Sequence, residues 1–118
     1  MKSLLISAAL LLSPMALASG PLIFEGKQTV VIQGVINQNS LQIADQILSM
    51  PGKTINIVIN SGGGSIFAGN TIVQAINTVQ SSGKVVNCAV SRFAASMAFI
   101  IFNECTNRYA LPTSMLLW

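Results

Sequence analysis

Residues 55–65 read INIVINSGGGS, and residues 66–80 continue IFAGNTIVQAINTVQ. Ile55, Ile57 and Ile59 fall on one face of an extended segment and Val58 on the other, which is the period of a strand. The glycines at 62–64 follow at once, free to take φ > 0 and to let another backbone approach closely. Ile66, Ile72, Val73, Ile76 and Val79 then share one face at helical spacing. The stretch therefore predicts a strand, a glycine loop over Ser61–Ser65, and a helix over Ile66–Gln80.

The same alternation extends both ways. Thr29–Gly34 (TVVIQG) is short and β-branched, a strand. Asn37–Ser40 suits a helix N-cap, and Leu41, Ile43, Ala44, Ile47 and Leu48 recur at helical spacing until Pro51-Gly52. Downstream, Ser81-Ser82-Gly83 ends the central helix and Lys84–Val90 (KVVNCAV) is a strand. Ser91–Ala95 reads as a turn and Ser96–Glu104 as a short apolar helix. Arg108–Leu111 and Ser114–Trp118 read as strands on either side of a Pro112-Thr113 turn. The order β-α-β-α-β-α-β-β predicts an α/β fold with a mainly parallel sheet and right-handed crossovers.

The chain has 118 residues, room for one domain, and is 52% hydrophobic with only 8% charged residues. Residues 1–18, MKSLLISAALLLSPMALA, account for part of that. Lys2 is a short basic region, Leu4–Leu12 an apolar core, and Ala16-Leu17-Ala18 a small-residue cleavage site. This is the pattern of a secretory signal peptide. As a membrane anchor the run is short and interrupted by Pro14. The expectation is an exported, periplasmic or secreted protein whose mature domain spans 19–118. The remaining bases (Lys27, Lys53, Lys84, Arg92, Arg108) are scattered, which argues against a nucleic-acid or anionic-lipid surface. With two cysteines and no histidine, a metal site is not expected. In an oxidising compartment Cys88 and Cys105 can form a disulfide; the alternative is two buried thiols.

Both chemically interesting sites lie at helix starts, where unpaired N–H groups favour negative charge. The glycine loop is not a P-loop, which needs GxxxxGK[ST]. It is not a dinucleotide fingerprint either, because Phe67 stands at the third glycine position. Ser96, in RFAASMAFII, reads locally as an N-cap. As a nucleophile it would gain the N–H of Met97 as a donor to a developing oxyanion, but no base is at hand.

Three motifs in order change that balance. Ile59-Asn60-Ser61-Gly62-Gly63-Gly64-Ser65, Ala94-Ala95-Ser96-Met97-Ala98 and Arg108-Tyr109-Ala110-Leu111-Pro112-Thr113-Ser114 resemble the proteolytic subunit of the Clp protease, across roughly residues 29–118. The resemblance implies the N-terminal portion of a Clp/crotonase-like spiral of ββα-type units. It implies a serine endopeptidase with no cofactor, acting on unfolded or flexible peptides as a homo-oligomer. Ser96 would be the nucleophile, and Gly64 and Met97 would supply the oxyanion hole. Gly63 and Ile66 would bind the substrate, with Ile66 and Met97 near the side-chain pocket. In this frame the helix from Ser96 runs back along the preceding strand and returns Cys105 towards Cys88.

Gly62 replaces the family's proline and Ala98 a glycine. The family's histidine would be the residue after Trp118, and its aspartate comes later; Asp45, on the first helix, does not match it. The expectation is a chain cut just before its base and inactive alone. A pseudo-peptidase that binds peptides or serves assembly is the alternative. The bare apolar SMLLW strand favours the first. Export would separate the protein from an ATP-driven unfoldase. Related signal-peptide peptidases place S-G-G and a lysine base where this chain has Met97-Ala98 and no later lysine. A crotonase-type acyl-CoA enzyme would lack a catalytic carboxylate.

Overall fold

The computed structural model describes residues 29–118; the signal-peptide reading of 1–18 lies outside them. The elements are β1 (Thr29–Ile36), a 3₁₀ turn (Gln38–Ser40), α1 (Leu41–Ser49), β2 (Thr54–Gly64), α2 (Ile66–Ser81), β3 (Val85–Ala95), α3 (Met97–Asn103), β4 (Asn107–Ala110) and β5 (Met115–Leu117). The strands form one sheet in the order β1-β2-β3-β4, with β5 also on β3, and every pairing is parallel. The fold is α/β with a parallel sheet.

Ile55, Ile57 and Ile59 are fully buried, and they share one hydrophobic cluster with Val30 and Ile32 of β1, Val86, Cys88 and Val90 of β3, and the inner faces of all three helices. A fully buried isoleucine contributes about 1.5–3 kcal/mol. That row therefore fixes the face on which the helices pack, since a one-residue slip would expose all of it. On the opposite face, Asn107 donates to Asn87 (2.8 Å) and Asn87 to Asn56 (3.1 Å), an amide row along the ladder.

Three features differ from the sequence reading. Ser61–Gly64 is not a loop: β2 runs through it, because Gly63 and Gly64 pair with Val35 and Ile36 of β1. Ser91–Ala95 is not a turn: Phe93, Ala94 and Ala95 pair with Met115, Leu116 and Leu117, so β3 continues to the residue before Ser96. Cross-strand bonding overrides the local turn signals. Ile66 does not lie on the buried stripe of α2, which is Ala68, Gly69, Ile72, Ala75, Ile76 and Val79; Ile66 is 70% exposed.

β4 and β5 cover successive parts of one β3 edge. The gap between them is closed by Ser114, whose hydroxyl accepts from Leu111 N–H (3.0 Å) and donates to Val90 C=O (2.9 Å). Cys88 of β3 and Cys105, just past α3, are joined as a disulfide with Cα atoms 6.0 Å apart. It ties the end of α3 to the strand that leads into it.

Candidate active site

Ser96 stands between β3 and α3 with φ 56 and ψ −126, the one non-glycine residue of positive φ among those described. Such a backbone persists only where its surroundings over-determine it. Here they do. Ser96 N–H donates to Leu117 C=O of β5 (3.0 Å), and Ser96 C=O accepts from Phe99 N–H (2.9 Å) and Ile100 N–H (3.2 Å). The helix ladder begins with those two bonds, so the N–H groups of Met97 and Ala98 precede it and are left unspent by it. Ser96 occupies the N-cap position, yet its side chain makes no capping bond and the residue is exposed. The local reading as an ordinary cap therefore does not describe it.

Gly63 lies directly against this turn. A Cβ on Gly63 would sit 2.8 Å from Ala95 O, 2.9 Å from Ser96 Cβ and 3.1 Å from Met97 N. Only a residue without a side chain lets the two backbones meet this closely. Ser65 N–H donates to Ile36 C=O (2.7 Å), on the β1 side. By the alternation of a strand, the preceding N–H, that of Gly64, turns to the opposite edge, where β3 and Ser96 lie. Gly64 is exposed and has φ 149; its own Cβ would overlap Ile36 O.

The structure thus brings Ser96, Met97, Gly63 and Gly64 together. Ile66 opens α2 two residues beyond Gly64, with its side chain in solvent. The Met97 side chain is turned the other way: it is 3% exposed and lies over Gly69 of α2, where a Cβ would overlap its Cγ. Its backbone faces the site while its side chain anchors α3 to α2.

One residue escaped the sequence reading. Ser61 is 0% exposed, and its hydroxyl donates to Gly34 C=O (2.6 Å) and accepts from Gly63 N–H (3.0 Å). The signal for it was parity. Counting by twos from Ile55, Ile57 and Ile59 puts Ser61 and Gly63 on the buried face, once the strand is allowed to continue.

Comparison with known proteins identifies the family and the fold. The family model for Clp protease matches residues 22–118. The chain belongs to the Clp protease family. ClpP1 from Listeria monocytogenes and a point mutant of it each align at 32% identity with a TM-score of 0.66, over 74% of this chain and 53% of theirs. The chain therefore spans about half the length of these solved relatives. The parallel α/β architecture is that of ClpP1. No helix among the described residues is long and apolar enough to cross a membrane.

Proposed function

We propose that the chain carries the nucleophile half of a serine endopeptidase site, with Ser96 as the attacking residue. The observation that carries this reading is Ser96 itself, exposed, with no capping bond from its side chain, on a strained backbone (φ 56) packed against Gly63. Ser96 Oγ attacks the carbonyl carbon of a scissile peptide bond and gives its proton to a base. The carbonyl oxygen becomes an oxyanion, accepting from Gly64 N–H and Met97 N–H. The tetrahedral centre collapses, the C–N bond breaks, and the amine leaves with a proton returned by the base. Water then hydrolyses the ester on Ser96. An extended substrate lies along Gly63–Ile66. The 118 residues contain no histidine, so the base comes from outside them. The substrates are unfolded or flexible peptides, and the working form is a homo-oligomer. Export is supported by the 1–18 pattern and by the Cys88–Cys105 disulfide, which suits an oxidising compartment without an ATP-driven unfoldase.

The absence of histidine also favours a second reading, a pseudo-peptidase that holds peptides without cutting them. A fluorophosphonate probe separates the two. Exogenous imidazole stands in for a missing histidine. Under the peptidase reading, Ser96 is phosphonylated at a rate that rises with imidazole, and labelling disappears in Ser96→Ala. No labelling at Ser96 at any imidazole concentration rejects that reading. Peptide binding that is indifferent to Ser96→Ala then supports the second.

A further inference from the structure

We infer that Ser61 is a positioning residue for the oxyanion hole: its buried hydroxyl sets the direction of the Gly64 N–H. The inference rests on the peptidase reading of Gly64 and Met97. Ser61 is the one fully buried polar side chain among the described residues, at 0% exposure. Buried hydroxyls need partners, and this one has two, both backbone groups at an irregular point of the sheet. It donates to Gly34 C=O at 2.6 Å and accepts from Gly63 N–H at 3.0 Å.

The place matters. The β1–β2 register shifts between Gln33 and Val35, at Gly34 (φ 78), and the β2–β3 register shifts between Ile59 and Ser61. Where β1 and β2 fall out of step, the hydroxyl is inserted between one strand's carbonyl and the other's N–H. Beyond it, Gly63 (φ 102) and Gly64 (φ 149) turn freely as far as their own sterics go. The peptide plane that carries Gly64 N–H lies between two planes that are held. Gly63 N–H is fixed by Ser61, and Ser65 N–H is fixed by Ile36 C=O at 2.7 Å. Removing the hydroxyl frees the first plane and takes one hydrogen-bond partner from Gly63 N–H and one from Gly34 C=O. The glycine pair then swings, and the Gly64 donor leaves the position where the oxyanion forms. Ser61 touches neither substrate nor Ser96; it acts through Gly63.

The test uses the 118-residue chain with Ser96→Cys, since a thiol ionises without a histidine. Two reactions of the introduced thiol are compared. With a peptide p-nitrophenyl ester, the thiolate adds to the carbonyl, an oxyanion forms, and p-nitrophenolate leaves as the thioester appears. With iodoacetamide, the thiolate displaces iodide at a saturated carbon and no oxyanion forms. The ratio of the two rate constants isolates the oxyanion hole from thiol ionisation and access. Losing one oxyanion donor lowers rates by about 100-fold or more, so a displaced donor is expected to lower the ratio at least tenfold in Ser61→Ala. Ser61→Thr, which keeps the hydroxyl, restores it to within about threefold of the Ser61 chain on the same scale. An unchanged ratio in Ser61→Ala overturns the inference while leaving the peptidase reading intact. An equal fall in the Ala and Thr variants also overturns it, because the hydroxyl is then not what matters. A ratio in the Ser61 chain no higher than that of N-acetylcysteine removes the oxyanion hole itself, and the inference with it.

Discussion

Gly63 is where the site's geometry turns into stability, and a matched control exists in the same chain. Gly63 and Gly83 have nearly the same φ, 102 and 100, but a Cβ at Gly83 meets nothing within 4 Å, while one at Gly63 sits 2.8 Å from Ala95 O. Gly83→Ala therefore measures the backbone penalty alone, about 1–3 kcal/mol for a side chain forced into a sparsely populated region. Gly63→Ala carries that penalty plus the overlap with Ala95, Ser96 and Met97. Those atoms cannot withdraw easily: Ala95 is in the β3–β5 ladder, and Ser96 N–H is bonded to Leu117 C=O. Forcing extra volume into a packed site adds about 1–3 kcal/mol. Gly63→Ala is thus expected to be less stable than Gly83→Ala by about 2 kcal/mol, roughly a 30-fold difference in the unfolding constant. Urea unfolding followed by far-UV circular dichroism reads this as a midpoint lower by about 1–2 M, for m near the low end of the usual range. Equal midpoints for the two variants would refute the close approach of β2 to the Ser96 turn.

Reduction of Cys88–Cys105 releases a bridge spanning 17 residues, which in the chain-entropy model lowers stability by about 3 kcal/mol. A melting temperature that falls by roughly 10–20 °C in a phosphine reductant is the expected result; an unchanged melting curve, or two alkyl groups added without reduction, rejects the bridge. Ser65 caps α2 through its side chain, which accepts from Ala68 N–H at 3.1 Å. Ser65→Ala is expected to cost about 1 kcal/mol, read as a lower urea midpoint with an unchanged slope, and a neutral substitution would show that the cap contributes nothing.

Much of this was legible in the residues because the strongest structural signals are local. The INIVIN alternation fixed a buried strand, the spacing of Ile72, Ile76 and Val79 a helix face, and Pro51-Gly52 and Ser81-Ser82-Gly83 the ends. Ser96, Met97 and Gly64 stood out through motif order. What was not legible depends on partners far along the chain. Ser61–Gly64 and Ser91–Ala95 carry turn residues, and nothing local reveals that β1 and β5 complete ladders with them. Ile66 fits a helical stripe by spacing, but the helix rotates to place Ala68 and Gly69 inward, because Gly69 must receive the Met97 side chain. Ser61 was overlooked because reading a loop after Asn60 broke the two-residue count that puts it in the core.

The positions of the register shifts explain why the site forms where it does. Between β1 and β2 the step falls at Gly34; between β2 and β3 it falls after Ile59; on the far edge of β3, β4 stops at Val90 and β5 begins at Phe93. These breaks line up across the sheet as one crease. At the crease two serine hydroxyls serve the same purpose. Ser61 donates to Gly34 C=O and accepts from Gly63 N–H; Ser114 donates to Val90 C=O and accepts from Leu111 N–H. Each supplies a partner to a carbonyl and to an N–H where the ladder is interrupted, while the Asn60 side-chain oxygen, at the same crease, is buried without a partner. Beyond the crease lie short strand ends: Val35–Ile36, Gly63–Gly64, Phe93–Ala95 and Met115–Leu117. Ile36 C=O holds Ser65 N–H and Leu117 C=O holds Ser96 N–H, so each outer strand anchors one of the segments that flank the candidate site. A flat, in-register sheet would spend Gly64 N–H on ordinary pairing with β3. The crease instead ends the β2–β3 pairing at Ser61 and Ala94 and brings Gly63 against the Ser96 turn.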